Sequence, residues 1–193
     1  MNYSAYWLLH ILYALTKSGT VNTIDPKFMQ IITVRPAYLR EILLLNQTAI
    51  PHVNEVDQEF FHQQLEASLY FRAILLEGSV KAFLLGMSET ASYQSLNFLW
   101  FQERYAKFIY VDRIVVDKQF HRGGLGRALY TDFEGLAKER GCPMACEVNI
   151  RPPNPISTKF HESFGFCEVG QQQTEGGAKR VSLMVKDMND TIL

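Results

Sequence analysis

The sequence is poor in cysteine, with Cys142, Cys146 and Cys167 alone among 193 residues. An odd count without a Cys-x-x-Cys pair argues against a disulfide framework and against a zinc site, so no metal is expected. Buried or half-buried thiols in a reducing compartment, hence a cytoplasmic setting, are the simpler account. The chain also lacks an excess of either charge. With 19 basic and 20 acidic residues it carries a net charge of −1, so no global field draws it to nucleic acid or to an anionic membrane. A long apolar run is missing as well. The stretch AYWLLHILYAL at Ala5–Leu15 has no Lys or Arg before it, as a secretory signal would. Lys17, Ser18 and Gly19 end it short of the roughly twenty residues that a membrane span needs. A packing helix or disordered extension is the first reading of this stretch, a homodimer contact the second and a membrane anchor the third. A linker with Gly19, Asn22 and Pro26 separates residues 1–27 from one domain at 28–193, and a hydrophobic content of 47% is ordinary for a globular chain.

What is present centres on KFIYVDRIVVDKQFHRGGLG, Lys107 to Gly126. Phe108–Val111 and Ile114–Val116 are aromatic or β-branched and read as a largely buried strand. Leu125, Leu129, Phe133, Leu136 and Ala137 then fall at the three- and four-residue spacing of an amphipathic helix. The unit is strand, glycine turn, helix. Such a turn presents unpaired amides and the positive end of the helix dipole, and glycines let an anion approach closely. His121, Arg122 and Arg127 add charge there, so the stretch predicts a phosphate or diphosphate seat. No Gly-Lys-Ser or Gly-Lys-Thr follows, which argues against a nucleoside-triphosphate loop. Gly124 and Gly126 lack the third glycine of a dinucleotide fingerprint.

The run VVDKQFHRGGLGRALY resembles the acyl-CoA-binding motif of the GNAT superfamily of N-acetyltransferases. In it His121 takes a Gln/Arg position and Gly124 and Gly126 take the small positions. FHESFGF, Phe160 to Phe166, resembles the family's Leu-Tyr-Glu-Lys-Leu-Gly-Phe segment. The string EVNIRPPNPISTKFHESFGF is similar to a bacterial branch of predicted GNAT acetyltransferases. The resemblance covers roughly Gln30 to Val185. It implies an α/β fold with a mixed, mostly antiparallel sheet of six to seven strands, about four helices and a splayed central strand pair. It further implies acetyl-CoA as cofactor and transfer to a primary amine, but it does not specify the acceptor. Direct transfer is expected because no cysteine is placed by motif as an acyl carrier, and a small or amino-acid-like acceptor is the expectation. A non-catalytic acyl-CoA sensor, or transfer of another acyl group or to a protein amine, is the alternative.

The resemblance also assigns residues. The cofactor is expected against Ile114, Val115 and Val116, with free amides on Val115 and Val116, against His121, Arg122, Gly123, Gly124, Leu125, Gly126 and Arg127, and against Asn154 and Phe160. His161 stands where the family has a tyrosine that protonates the leaving thiolate. An imidazole of ordinary pKa near 6.5 is a readier proton donor than a phenol near 10. The competing view packs His161 beside the sulfur without titration. Asp112 and Glu147, polar residues on two apolar strands, are candidate bases. Alternation puts Asp112 on the face of Tyr110 and Ile114, and an ion pair with Arg113 is its other reading. The segment Ser88–Ala106 reads as a long aromatic loop, either a flap over the acceptor or a satellite core. On the flap reading Tyr93, Asn97, Phe98 and Phe101 contact the acceptor, together with Asn46 from the helix before the Asn46–Val53 loop. The plainer role for Asn46 is a helix end.

Overall fold

A computed structural model of the chain describes residues 29–188. The readings for residues 1–27, the homodimer contact included, lie outside them. Seven strands form one sheet: β1 (Gln30–Thr33), β2 (Tyr70–Leu76), β3 (Ser79–Ser88), β4 (Ile109–Val116), β5 (Met144–Arg151), β6 (Cys167–Thr174) and β7 (Lys179–Lys186). Their order is β1-β2-β3-β4-β5-β7-β6. Every neighbouring pair is antiparallel except β4 and β5, which run parallel. Two parallel neighbours need a crossover, and the helix α4 (Leu125–Arg140) supplies it. The mixed, mostly antiparallel α/β sheet is the one expected.

The core lies on both faces of the sheet. On one, α1 (Leu39–Gln47), α2 (Gln58–Ala67) and α3 (Leu96–Gln102) bury Leu39, Ile42, Phe61, Phe98 and Phe101 against Phe83, Tyr110 and Val115. On the other, Leu125, Leu129 and Phe133 of α4 pack on Ile74, Leu84, Ile109 and Val111. Burying each such side chain stabilises the fold by about 1.5–3 kcal/mol. Phe133 lies so flat on β3 that a Cβ at Gly86 would stand 2.6 Å from its ring, which explains a glycine in mid-strand. A fifth helix, α5 (Pro155–Ser163), closes the end of the sheet beside β5.

Two expectations need correction. The stretch Ser88–Ala106 is no open flap, because α3 lies within it. Phe98 and Phe101 are fully buried there, with ring centroids 5.4–6.0 Å from those of Phe108 and Tyr110. Nor does simple alternation hold along β4. Ile109 and Val111 face α4, and so do Ile114 and Val116, a change of parity that requires one extra residue. The register against β3 slips between Val111 and Arg113, so that residue is Asp112. This bulge releases Asp112 from the face of Ile114 and turns Arg113 toward the rings of Phe60 and Phe61 on α2.

Candidate active site

Strands β4 and β5 pair only at Ile109–Met144, Tyr110–Ala145 and Val111–Cys146. Beyond the bulge they part, and a cleft of about 1230 Å³ opens between them. Asp117 N donates to Lys81 O on the far side of β4, so alternation sends the backbone groups of Arg113 and Val115 to β3. The groups that face the splay are those of Ile114 and Val116. The expectation of a free amide on Val115 is corrected accordingly, while Val116 keeps its place and Ile114 joins it. On the opposite bank, Asn149 O accepts from Asn154 N and Ile150 bridges Pro153, so the turn after β5 takes up that edge.

At one end of the cleft stands the first turn of α4. Its N-cap, Gly124, has φ 88°, a left-handed conformation that L side chains rarely adopt, and no side chain caps the helix. The amides of Gly124, Leu125, Gly126 and Arg127 find no acceptor among the described residues. Lys118, Arg122, Arg127 and Lys159 line the same end. Leu125 anchors the turn in the core, and a Cβ at Gly126 would come to 3.6 Å of Phe160 and 3.7 Å of Val116. Gly123 does not line the cleft, and its N–H is spent on Phe120 O. The His121 ring folds back and donates from Nε2 to Val116 O at 3.0 Å. Asn154 lines the cleft as the N-cap of α5, its Oδ1 accepting from Ser157 N at 3.2 Å. Free amides, four cations and two parted strand edges suit a diphosphate joined to a slender amide-bearing arm, which is the shape and chemistry of acetyl-CoA.

At the middle of the cleft, His161 is buried among aromatic rings. Its Nδ1 lies 2.8 Å from Ser157 O, a carbonyl that can only accept, so Nδ1 carries the proton. Nε2 is then an acceptor and takes the hydrogen of the Tyr130 hydroxyl at 2.6 Å. Burial lowers the His161 pKa to about 4. The direct proton donor expected at this position is therefore corrected: at neutral pH the imidazole is uncharged, and its one hydrogen points at Ser157. Tyr130 escaped sequence reasoning because, although it ends the run VVDKQFHRGGLGRALY, its partner His161 lies thirty-one residues further along the chain.

At the other end lie the two carboxylates. Asp112 accepts from Tyr93 Oη and from Arg113 Nε at 2.6 Å. The ion pair is sealed, its side chains being 5% and 4% exposed. Arg113 also donates to Asn46 Oδ1 at 3.1 Å, and Asn46 donates in turn to Asn54 O. Asn46 is thus a buried brace behind Arg113 and lies outside the cleft lining, as do Phe98 and Phe101. Those three are corrected as substrate contacts, whereas Tyr93 and Asn97 do line the cleft. With both oxygens of Asp112 engaged and a guanidinium beside it, Asp112 is a structural anion rather than a base. Glu147 differs. It accepts from Tyr110 Oη and from Asn97 Nδ2 at 3.1 Å, and the described residues show no ion pair to it. Burial, opposed by the Tyr110 hydrogen bond and assisted by the Asp112 charge, raises its pKa to about 7.

A cleft between splayed parallel strands, opened by a glycine-started helix, defines an acyl-CoA-dependent transferase. The model of the acetyltransferase (GNAT) family matches residues 39–166, and the chain belongs to that family. It is an N-acetyltransferase with acetyl-CoA as cofactor. Among solved structures it is similar to the ribosomal-protein-S18-alanine N-acetyltransferase of Escherichia coli, at 21% identity and TM-score 0.62, over 86% of this chain and 98% of that one. The ribosomal-protein-alanine N-acetyltransferase of Brucella melitensis shows 22% identity and TM-score 0.62 over 82% and 99%. Arabidopsis thaliana Naa50, solved with the bisubstrate analogue CoA-Ac-MVNAL, shows 14% and 0.64 over 83% and 99%. These likenesses concern the fold. No curated protein sequence matches the chain.

Proposed function

We propose that the protein acetylates the primary amine of a small or amino-acid-like acceptor by direct transfer in a ternary complex, with Glu147 as the base. The observation that carries this reading is the Glu147 carboxyl, open to the cleft and titrating at about 7. A base of that pKa is half ionised at neutral pH and can take the proton from the amine nitrogen as its bond to the thioester carbonyl carbon forms. Asp112, compensated by Arg113, leaves Glu147 as the carboxylate free to meet a cation. The acetyl group comes from the cofactor's thioester. Ile114 and Val116 would hold the arm through their backbone groups, and the first turn of α4 with its cations would hold the diphosphate. The departing sulfur would leave as the thiolate and take its proton from water, because the Tyr130 hydrogen is engaged by His161 Nε2 and burial holds that phenol well above its usual range. Cys146 lines the cleft, but burial holds its thiol well above the usual range, which disfavours a covalent acyl carrier.

A small acceptor is favoured by bridges across the acceptor end. Lys179 Nζ donates to Asn54 Oδ1 at 3.0 Å, and Asn149 Nδ2 donates to His52 O at 3.2 Å, tying the α1–α2 loop to β5 and β7. A peptide N-terminus is the second reading, supported by the MVNAL portion of the analogue bound to Naa50. Thiol release measured across a panel of small amines and short peptides separates the two. Glu147→Gln should lower kcat/KM by about a hundred- to ten-thousand-fold and abolish its rise through pH 7. An enzyme that keeps both rate and pH profile would refute Glu147 as the base.

A further inference from the structure

Glu147 is held by more than its own strand. Asn97, the second residue of α3, is 9% exposed and donates from Nδ2 to Glu147 Oε1 at 3.1 Å. Its Oδ1 accepts from Gln172 Nε2 at 3.0 Å, and Gln172 lies on β6 at the far edge of the sheet. The polarity of this chain is set whenever Glu147 is ionised. A carboxylate accepts only, so Asn97 must turn its NH₂ toward Glu147, and its carbonyl then needs a donor. Gln172 supplies that donor and prevents the Asn97 amide from flipping. We propose that Asn97, locked by Gln172, is the positioning residue of the catalytic base: it aims Glu147 Oε1 into the cleft and favours the ionised form.

The groups facing Glu147 support this role. From β4 come Tyr110, which donates to Oε2, and Asp112 with its partner Arg113. Tyr93 precedes α3, Tyr130 comes from α4, and Cys146 is the neighbour in sequence, each feeling the Glu147 charge. The residue across from it on β7 is Leu183. Burial and Asp112 favour the neutral acid, and the side chains that oppose them are Tyr110 and Asn97. Removal of Asn97 therefore leaves the carboxyl harder to ionise and free at Oε1 to swing.

The inference rests on Glu147 as the base, and one experiment separates the two. The pH dependence of kcat/KM is measured for the wild-type protein, N97L, Q172L and E147Q, with CoA affinity by calorimetry as the check on folding. N97L should move the acidic limb upward by about one pH unit, because a hydrogen bond to an ionised group is lost. Q172L should move it the same way by less. CoA affinity should stay within about twofold for both, since neither residue lies at the diphosphate end. An acidic limb that stays in place in N97L and Q172L, while E147Q loses it, overturns the inference and leaves the base intact. A limb that survives in E147Q overturns the base, and the inference with it. Should N97L fail to fold, Q172L carries the test, its side chain being replaced on a half-exposed strand at the sheet edge.

Discussion

The uncharged state of His161 has a measurable cost in acid. Its pKa falls from 6.5 to about 4 in the folded chain, chiefly through burial. A group whose folded pKa is depressed binds its proton in the unfolded state first, so stability is complete above about pH 6.5 and is lost as pH falls toward 4. A gap of roughly two and a half pH units, at about 1.4 kcal/mol each, is about 3 kcal/mol. Against a typical total of 5–15 kcal/mol that is a large fraction. Urea unfolding at several pH values between 7 and 4.5 should show the midpoint fall. His161→Gln keeps an acceptor for the Tyr130 hydroxyl without a titrating ring, and should flatten that slope over the same window. The His161 imidazole resonances of the wild-type protein should not titrate near 6.5. An NMR pKa at or above 6.5, or a slope unchanged in the variant, would refute the buried, neutral assignment and reopen His161 as a proton donor.

Three further outcomes follow from the packing and the cleft. Arg113→Ala strands Asp112 and Asn46 Oδ1 in the interior and should destabilise the fold by about 3–5 kcal/mol, read by denaturant midpoint. Gly86→Ala drives a Cβ into the Phe133 ring at 2.6 Å and should cost about 1–3 kcal/mol, with a full-strength fold at that variant counting against the packing described. Gly124→Ala meets no atom within 4 Å but must hold φ 88°, so it should cost about 1 kcal/mol and weaken CoA binding severalfold by calorimetry, through reorientation of the first amides of α4.

The strand, glycine turn and helix from Lys107 to Arg140 were legible in the sequence because each depends on neighbours within a few residues. β-Branched runs suit a pleat, a three-to-four spacing makes a stripe, and Gly124 stands where the chain must turn left-handed. The cap of α2 is just as local, the Asp57 carboxylate accepting from Phe60 N at 2.8 Å. Helix α3 escaped this reading. Seven residues with Phe98, Trp100 and Phe101 are too few for a period to emerge, and aromatic residues favour strands as readily. Its helical form depends on Phe108 and Tyr110 from β4, against which it packs. The bulge at Asp112 was equally invisible, since nothing local marks which residue β3 leaves unpaired.

Sequence alone determined the family and the fold class and singled out the glycine turn as the expected diphosphate seat, because the placement of its backbone amides follows from local turn geometry. Tertiary structure decided what each titratable side chain is. Arg113 and Tyr93 made Asp112 a sealed anion, and Tyr110 with Asn97 left Glu147 half ionised at neutral pH. Tyr130, thirty-one residues away along the chain, turned His161 into an acceptor. The state of a proton depends on burial and on partners brought from distant strands, and neither is written in the order of residues.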